Sequence, residues 1–216
     1  MTVNGSMNEP TRTTNVYDVA VIGAGATGAS AAIFTARGGL RTLLIDSGES
    51  GVVKAALYNH LGYERVSGPD FLQLSKDQAR DAGAELVEAK VTALETATEA
   101  AQDNQVYSLE TEDGQEFLAR QVILCTGKSL DLARQAGLEL AAGRERKYPE
   151  VIKVDSDGRT SLPRVWAAGA VAGASPHTII VAGDGARVAV NLMSELQGKR
   201  VVDHDVMPVQ TASAAK

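Results

Sequence analysis

The sequence predicts an α/β fold in which a parallel sheet carries a small antiparallel addition. The first indication is an apolar run at 19–22 that breaks into a glycine turn and continues as an alanine-rich helix. A second apolar run at 41–45 follows that helix, and this strand–helix–strand order is typical of a parallel sheet. The third indication is Asp113-Gly114, a hairpin signal between two further apolar segments, which predicts the antiparallel addition.

The glycine turn after the first strand reads Gly-Ala-Gly-Ala-Thr-Gly at 23–28. Gly23 allows the tight turn, Gly25 lets the backbone approach a pyrophosphate, and Gly28 lets the helix pack close to the strand. The positive N-terminal end of that helix then faces the phosphates. Asp46, at the end of the second strand, is placed to accept hydrogen bonds from an adenosine ribose. These features predict dinucleotide binding; an ordinary glycine turn in an α/β domain is the alternative.

Length and composition fit one folded domain. The chain has 216 residues, of which 44% are hydrophobic and 22% charged. A net charge of −6 and the lack of a basic run argue against a nucleic-acid partner. No stretch approaches the roughly 20 apolar residues of a membrane span, and residues 1–15 are polar without an apolar signal core. We therefore expect a flexible leader at 1–15, a cytoplasmic protein, and neither a nucleic-acid nor a membrane partner.

The numbers and spacing of cysteine and histidine residues argue against disulfide redox chemistry and against metal binding. Cys125 is the only cysteine, so the chain holds no internal disulfide and no Cys-x-x-Cys redox pair. The three histidines, His60, His177 and His204, have no ligand-like spacing. The sequence therefore predicts no metal site.

The remaining elements are predicted in chain order from hydrophobic periodicity and from helix-end signals. The first helix covers 29–37 and ends at Gly38-Gly39. Residues 47–67 are irregular, and Ser67-Gly68-Pro69 begins a second helix that ends at Gly83. Beyond it the patterns predict a strand at 85–94, strands at 106–112 and 117–124, a short helix at 131–140, strands at 151–154 and 164–170, a last helix at 177–196 and a C-terminal tail at 201–216.

Several of these motifs occur in the order found in the FAD-binding half of thioredoxin reductase. Besides the glycine turn, they are Cys-Thr-Gly at 125–127, the segment 162–171, and Ala-Gly-Asp-Gly-Ala at 182–186. The segments 59–63 and 67–69 match that family as well. The sequence thus resembles a thioredoxin reductase-like flavoprotein of the pyridine nucleotide-disulfide oxidoreductase superfamily. The resemblance implies a single Rossmann-like FAD-binding domain at 16–200 and, commonly, a homodimer.

The resemblance also implies which residues hold FAD. The family pattern places Asp46 on the adenosine ribose, Asn59 at the edge of the isoalloxazine, and Gly169 close to the ribityl chain. His177 or Thr178 would lie near N1 of the flavin, where the positive end of a helix stabilises the negative charge of the reduced form. The alternatives are a plain turn residue at Asn59 and an exposed N-cap neighbour at His177. The complete implied set is Gly23, Gly25, Ala26, Thr27, Gly28, Asp46, Asn59, Val91, Thr126, Gly127, Gly169, Ala170, His177 and Thr178.

Three departures from the family pattern bear on function. Residues 128–162 stand where thioredoxin reductase has a second nucleotide-binding domain, and they are few for one and carry no second glycine fingerprint. We therefore expect the NADPH domain, and with it the redox cysteine pair, to be absent there. Ala170 stands where the family usually has an aspartate that holds a ribityl hydroxyl. Cys125 stands where small residues are usual, and we expect a buried, inert thiol.

The sequence leaves more than one function open, and it identifies no catalytic residue. The leading hypothesis is an FAD-dependent oxidoreductase, reduced to its flavin domain, that exchanges electrons with a separate protein or small redox molecule. The second is a non-catalytic FAD-binding or redox-sensing module, which Ala170 slightly favours. A third, an NAD-binding Rossmann domain without flavin, fits residues 1–46 but leaves Thr126-Gly127 and the segment around Gly169 unexplained.

Overall fold

A mixed sheet of seven strands forms the centre of the fold, which a computed structural model describes for residues 16–97 and 105–202. The predicted leader at 1–15 and residues 203–216 of the predicted tail lie outside the described residues. The helices are α1 (Ala26–Arg37), α2 (Gly68–Asp81), α3 (Asp131–Gln135) and α4 (Thr178–Gln197). The strands are β1 (Val16–Ile22), β2 (Thr42–Asp46), β3 (Ala56–Leu57), β4 (Val66–Ser67), β5 (Glu85–Glu88), β6 (Val91–Thr96), β7 (Tyr107–Thr111), β8 (Glu116–Leu124), β9 (Leu140–Glu145), β10 (Tyr148–Ile152) and β11 (Val165–Ala167).

The topology of this sheet is parallel at its centre. Its order is β5-β2-β1-β8-β7-β6, and β5, β2, β1 and β8 run parallel to one another. On the far side of β8, its C-terminal half pairs with β11 in parallel, while its N-terminal half pairs with β7 in antiparallel fashion. This arrangement confirms the predicted α/β class, a parallel sheet with a small antiparallel addition.

The two faces of the sheet are covered by different layers, because successive side chains of a strand point to opposite faces. Val19 and Val21 of β1 pack with apolar residues of α1, α2 and α4. Ala20 and Ile22 pack on the other face, where β6, β7, α3 and β10 contribute apolar side chains. Within the part of the chain that the structure describes, every helix is too short or too polar to cross a membrane.

The prediction of one strand at 85–94 is wrong, because the chain changes partner in its middle. β5 pairs in parallel with β2, whereas β6 pairs in antiparallel fashion with β7. The break falls at Ala89 and Lys90: Ala89 N donates to Asp46 O, and Lys90 O accepts from Glu112 N. Composition is strand-like on both sides of that break, so it could not reveal the change.

The predicted helix at 131–140 is also too long. α3 ends at Gln135, and Gly137 follows with a φ of +71°, a left-handed conformation that stops the helix. Leu140 instead begins β9, which forms a hairpin with β10. The segment 128–162 thus folds as a short helix followed by a hairpin. The predicted strand at 164–170 is shorter as well, since β11 is followed by a 3-10 turn at Gly169–Ala172.

Candidate functional site

A cavity of about 700 Å³ opens at the carboxyl edge of the parallel strands. β1, β2, β8 and β11 end there in register, since Ile22 lies beside Ile45 and Leu124, and Leu124 beside Ala167. Open α/β sheets bind ligands at this edge. The cavity is also within the usual size of small-molecule and cofactor sites, roughly 300–1,000 Å³.

Two glycines of the turn are required by close backbone packing. Gly23 has a φ of +102°, and a Cβ there would lie 2.5 Å from the carbonyl oxygen of Cys125. A Cβ on Gly28 would overlap the carbonyl oxygen of Gly23. Only glycine therefore lets α1 begin so close to the ends of β1 and β8.

Gly25, unlike Gly23 and Gly28, is not packed against backbone atoms but faces the cavity. The nearest atom to a Cβ at this position would be Ser50 Oγ, at 3.3 Å. Gly25 is the N-cap of α1, with no capping side chain and no acidic residue in the first turn. The first N–H groups of a helix have no partner within the helix, and they favour an anion. Ala26 and Thr27, which carry two of these groups, also line the cavity.

Asp46, predicted to bind ribose, is buried in the cavity wall and held by two partners. Its Oδ1 accepts a hydrogen bond of 3.0 Å from Gly48 N. Its Oδ2 forms an ion pair with Lys76 of α2. The ion pair offsets the cost of burying this side chain, and each oxygen retains a lone pair that a ribose hydroxyl can use. The pairing with Lys76 had no signal in the sequence, because the two residues lie on different elements.

Another part of the cavity wall is formed by the 3-10 turn after β11 and by the start of α4. Ala170 and Thr178 are buried and line the cavity. Gly169 has a φ of +79°, and a Cβ there would overlap the side chain of Thr27. Gly169 N donates a 2.7 Å hydrogen bond to Asp184 Oδ2 of α4. The Asp184 carboxylate holds the turn in place but does not line the cavity. It therefore does not take over the contact with the ribityl chain that the family's usual aspartate makes at the position of Ala170.

The fourteen residues predicted from the resemblance fall into three groups in the structure. Asn59 and His177 are exposed and do not line the cavity. Gly28 and Gly169 do not line the cavity but pack against residues that do, Gly28 against Gly23 and Gly169 against Thr27. The others line the cavity together: Gly23, Gly25, Ala26, Thr27, Asp46, Val91, Thr126, Gly127, Ala170 and Thr178. Contact with a cofactor stays a prediction for all fourteen.

Several cavity residues were not predicted from the sequence. Ser50 comes from the irregular segment after β2, Pro176 and Val181 from the start of α4, and Lys147 and Tyr148 from the β9–β10 hairpin. Hydrophobic pattern could have placed Val181 on the inner face of its helix. Nothing local in the sequence indicates that the hairpin returns to the cavity.

Cys125 lies at the base of the cavity and is buried, as expected. Burial, and secondarily the nearby carboxylate of Asp184, raises the pKa of its thiol far above the ordinary value. The thiolate is the nucleophilic form, so burial disfavours reaction of this cysteine, and its inertness stays a prediction. Within 16–97 and 105–202, no group of His, Cys, Asp and Glu side chains is arranged to hold a metal ion.

The sheet topology, the glycine turn and the cavity at the carboxyl edge define a dinucleotide-binding protein of the α/β class. The model of the Pyridine nucleotide-disulphide oxidoreductase family matches residues 47–186. The chain therefore belongs to this family. A shorter match, to the model of Glucose inhibited division protein A, covers residues 18–67.

Curated relatives of the chain are thioredoxin reductases. That of Aquifex aeolicus (strain VF5) is 34% identical over 137 residues, which are 62% of this chain and 41% of that protein. That of Treponema pallidum (strain Nichols) is 36% identical over 115 residues, which are 51% of this chain and 35% of that protein. The chain thus spans about two fifths of the length of the relatives it matches.

Solved structures with a similar fold include the atypical thioredoxin reductase TRi from Desulfovibrio vulgaris Hildenborough. Its TM-score is 0.70 at 19% identity, over 83% of this chain and 98% of that chain. A thioredoxin reductase from Gloeobacter violaceus has a TM-score of 0.71 at 16% identity, over 89% of this chain and 99% of that chain. These likenesses show the fold.

Members of this family are FAD-binding flavoproteins, so membership implies FAD as the cofactor. The residues present fit FAD at both ends of the cavity. At one end, a Cβ at Gly25 would enter the space before the uncapped end of α1, where a pyrophosphate needs room. At the ribose end, the buried carboxylate of Asp46 retains free lone pairs.

Proposed function

We propose that residues 16–200 form one FAD-binding domain of an FAD-dependent oxidoreductase of the thioredoxin reductase type. It exchanges electrons with a separate protein or a small redox molecule. The observation that carries this proposal is the fold of residues 128–162, which is a short helix and a hairpin. A second glycine turn that could hold a nicotinamide nucleotide is missing from that segment.

The chain's own residues position the cofactor and supply its electrostatic surroundings. The N-terminus of α1 and Gly25 hold the pyrophosphate, and Asp46 accepts hydrogen bonds from the ribose. The N-terminus of α4, beginning at Thr178, places a positive helix end near the flavin ring. Bound FAD supplies the electron-transfer chemistry, for which the side chains that line the cavity offer no alternative.

The electron partner docks where the cavity opens beside the segment 47–63. Tyr58 and Leu61 of that segment are 62% and 86% exposed, so their apolar surface is accessible to a partner there. A homodimer and a cytoplasmic location are part of the proposal, and the family resemblance is their support.

The test is anaerobic stopped-flow mixing of the FAD-loaded protein with excess NADPH or NADH, while the visible flavin band is followed. We expect reduction far below catalytic rates, because this chain does not hold a nicotinamide ring against the flavin. Lost orientation costs about 7 kcal/mol or more of effective-molarity advantage. Dithionite serves as the control and should reduce the same sample rapidly.

Rapid bleaching of the band by NADPH or NADH would contradict the proposal and require a nicotinamide site in the chain. Slow reduction by both nucleotides, with multiple turnovers once a reduced partner is added, supports it.

A non-catalytic FAD-binding or redox-sensing module is the second candidate function. Ala170 favours it, because an apolar buried residue lines the cavity where the family usually has an acid on the ribityl chain. The two candidates differ in turnover: a module takes up electrons once per flavin, whereas an enzyme passes them on repeatedly to an acceptor.

A further inference from the structure

A second, smaller pocket of about 480 Å³ adjoins the nucleotide cavity. It lies between α3 and the β9–β10 hairpin, in the segment that replaces the second domain of thioredoxin reductase. The two spaces are neighbours, since five residues line both: Lys128, Ser129, Asp131, Lys147 and Tyr148. A molecule in the smaller pocket would therefore be next to one in the nucleotide cavity.

The charges around this pocket favour an anion. Arg134 and Glu150 neutralise each other in an ion pair of 2.5 Å, and Asp131 accepts a hydrogen bond from Ser129 Oγ. Lys128, which follows β8, and Lys147, in the turn of the hairpin, are exposed and form no ion pair within 16–97 and 105–202. The carboxylate of Asp131 offsets one of these two ammonium groups, which leaves the lining of the pocket with a net positive charge that favours one negatively charged group.

The rest of the pocket wall is apolar. Leu130 is buried, and Tyr148 is half-buried where it packs against the cluster that contains Ala170 and Val181. Pro149 completes this surface. An aromatic ring and a proline favour contact with a flat apolar group.

The hairpin adds a local positive field to an acidic protein. The hairpin carries Arg144, Arg146 and Lys147 against two acids, Glu145 and Glu150, of which Glu150 is paired with Arg134, whereas the net charge of the chain is −6. Such a local excess raises the concentration of anions at the pocket.

We propose that this pocket binds a small molecule with a flat apolar body and one anionic group, which Lys128 and Lys147 hold. Its binding is independent of the flavin.

The test is isothermal titration of the oxidised, FAD-loaded protein with 2-naphthalenesulfonate and with the neutral 2-naphthalenesulfonamide. We expect the sulfonate to bind about tenfold more tightly, with affinity that falls as salt is added. Lys128→Met and Lys147→Met should each remove most of that difference. Lys199→Met is the matched control, because Lys199 is another exposed lysine and lines neither space.

Equal affinities for the two compounds, or a preference that both substitutions leave intact, would overturn the proposal. So would loss of FAD in the lysine variants together with competition between FAD and the sulfonate, since the lysines would then belong to the dinucleotide phosphates. A colourless wild-type protein would refute the proposed function. The sulfonate titration of that protein would still test whether the pocket binds an anionic ligand.

Discussion

Gly25 is the residue at which the glycine turn meets the cavity, and it can be changed without disturbing backbone packing. A Cβ there would meet only Ser50 Oγ, at 3.3 Å, whereas one at Gly23 or Gly28 would collide with backbone. We expect Gly25→Val to fold but to bind FAD at least about 100-fold more weakly, because the branched side chain occupies the pyrophosphate position. Flavin content after gel filtration, with circular dichroism for the fold, measures this.

The control for that variant is Gly183→Val. Gly183 lies in α4, lines neither space, and has open room around its Cβ position. It should purify with normal flavin. A Gly25→Val protein with as much bound FAD as the wild type would contradict the placement of the pyrophosphate.

The buried thiol of Cys125 makes the stability of the folded protein depend on pH. Because burial raises the pKa of this thiol in the folded protein, the unfolded chain loses the proton first, near pH 8.5. The stability that the neutral thiol contributes is complete below that pH and declines above it, by on the order of 1 kcal/mol per pH unit.

Urea unfolding between pH 8.5 and 9.5 measures this decline, in a range below the titration of tyrosine. Cys125→Ala lacks the titrating group and should lose correspondingly less stability over the same range, while it retains FAD. Identical pH dependence in the two proteins would show that the thiol titrates normally, and loss of turnover with FAD still bound would give the cysteine a part in the reaction.

At the scale of elements, α2 is tied to the end of β2 by Lys76 and Asp46. The Asp46 side chain is only 6% exposed, so removal of Lys76 leaves a nearly buried charge without its partner. We expect Lys76→Met to lower the free energy of unfolding by about 2 kcal/mol, since Lys76 is itself partly exposed, and to weaken FAD binding as Asp46 loses its orientation.

A double-mutant cycle separates the two effects. Asp46→Asn combined with Lys76→Met should recover much of the stability, because the unpaired charge is gone, but it should not recover FAD affinity. Lys76→Arg, which keeps the charge, serves as the conservative control. Full FAD affinity in Lys76→Met would contradict the role of the ion pair in the site.

Local signals allowed much of this architecture to be predicted from the sequence. The glycine turn, the acid at Asp46 and the Asp113-Gly114 hairpin depend on residues close together in the chain, and the structure places all of them in the expected elements. The predictions that were wrong share one cause: those elements are set by pairing with strands that are distant in the sequence. The break at Ala89 exists because β5 and β6 pair with different strands, and the β9–β10 hairpin was missed because its register is a pairing property.

At the scale of the whole molecule, the sheet brings four strand ends to one edge and the connections between them build the cavity. Its ten predicted lining residues come from six separate places in the chain, which explains why family resemblance located them better than hydrophobic pattern could. The second pocket lies between α3 and a hairpin that hydrophobic pattern did not predict, so the sequence could not indicate it.

The central claim, that this cavity holds FAD, is tested most directly by the visible absorption spectrum of the purified protein. We predict that the protein is yellow, with the two flavin bands of a protein-bound cofactor and a single non-covalent FAD per chain. A folded protein that is colourless, and that stays colourless after incubation with FAD and gel filtration, would contradict the account.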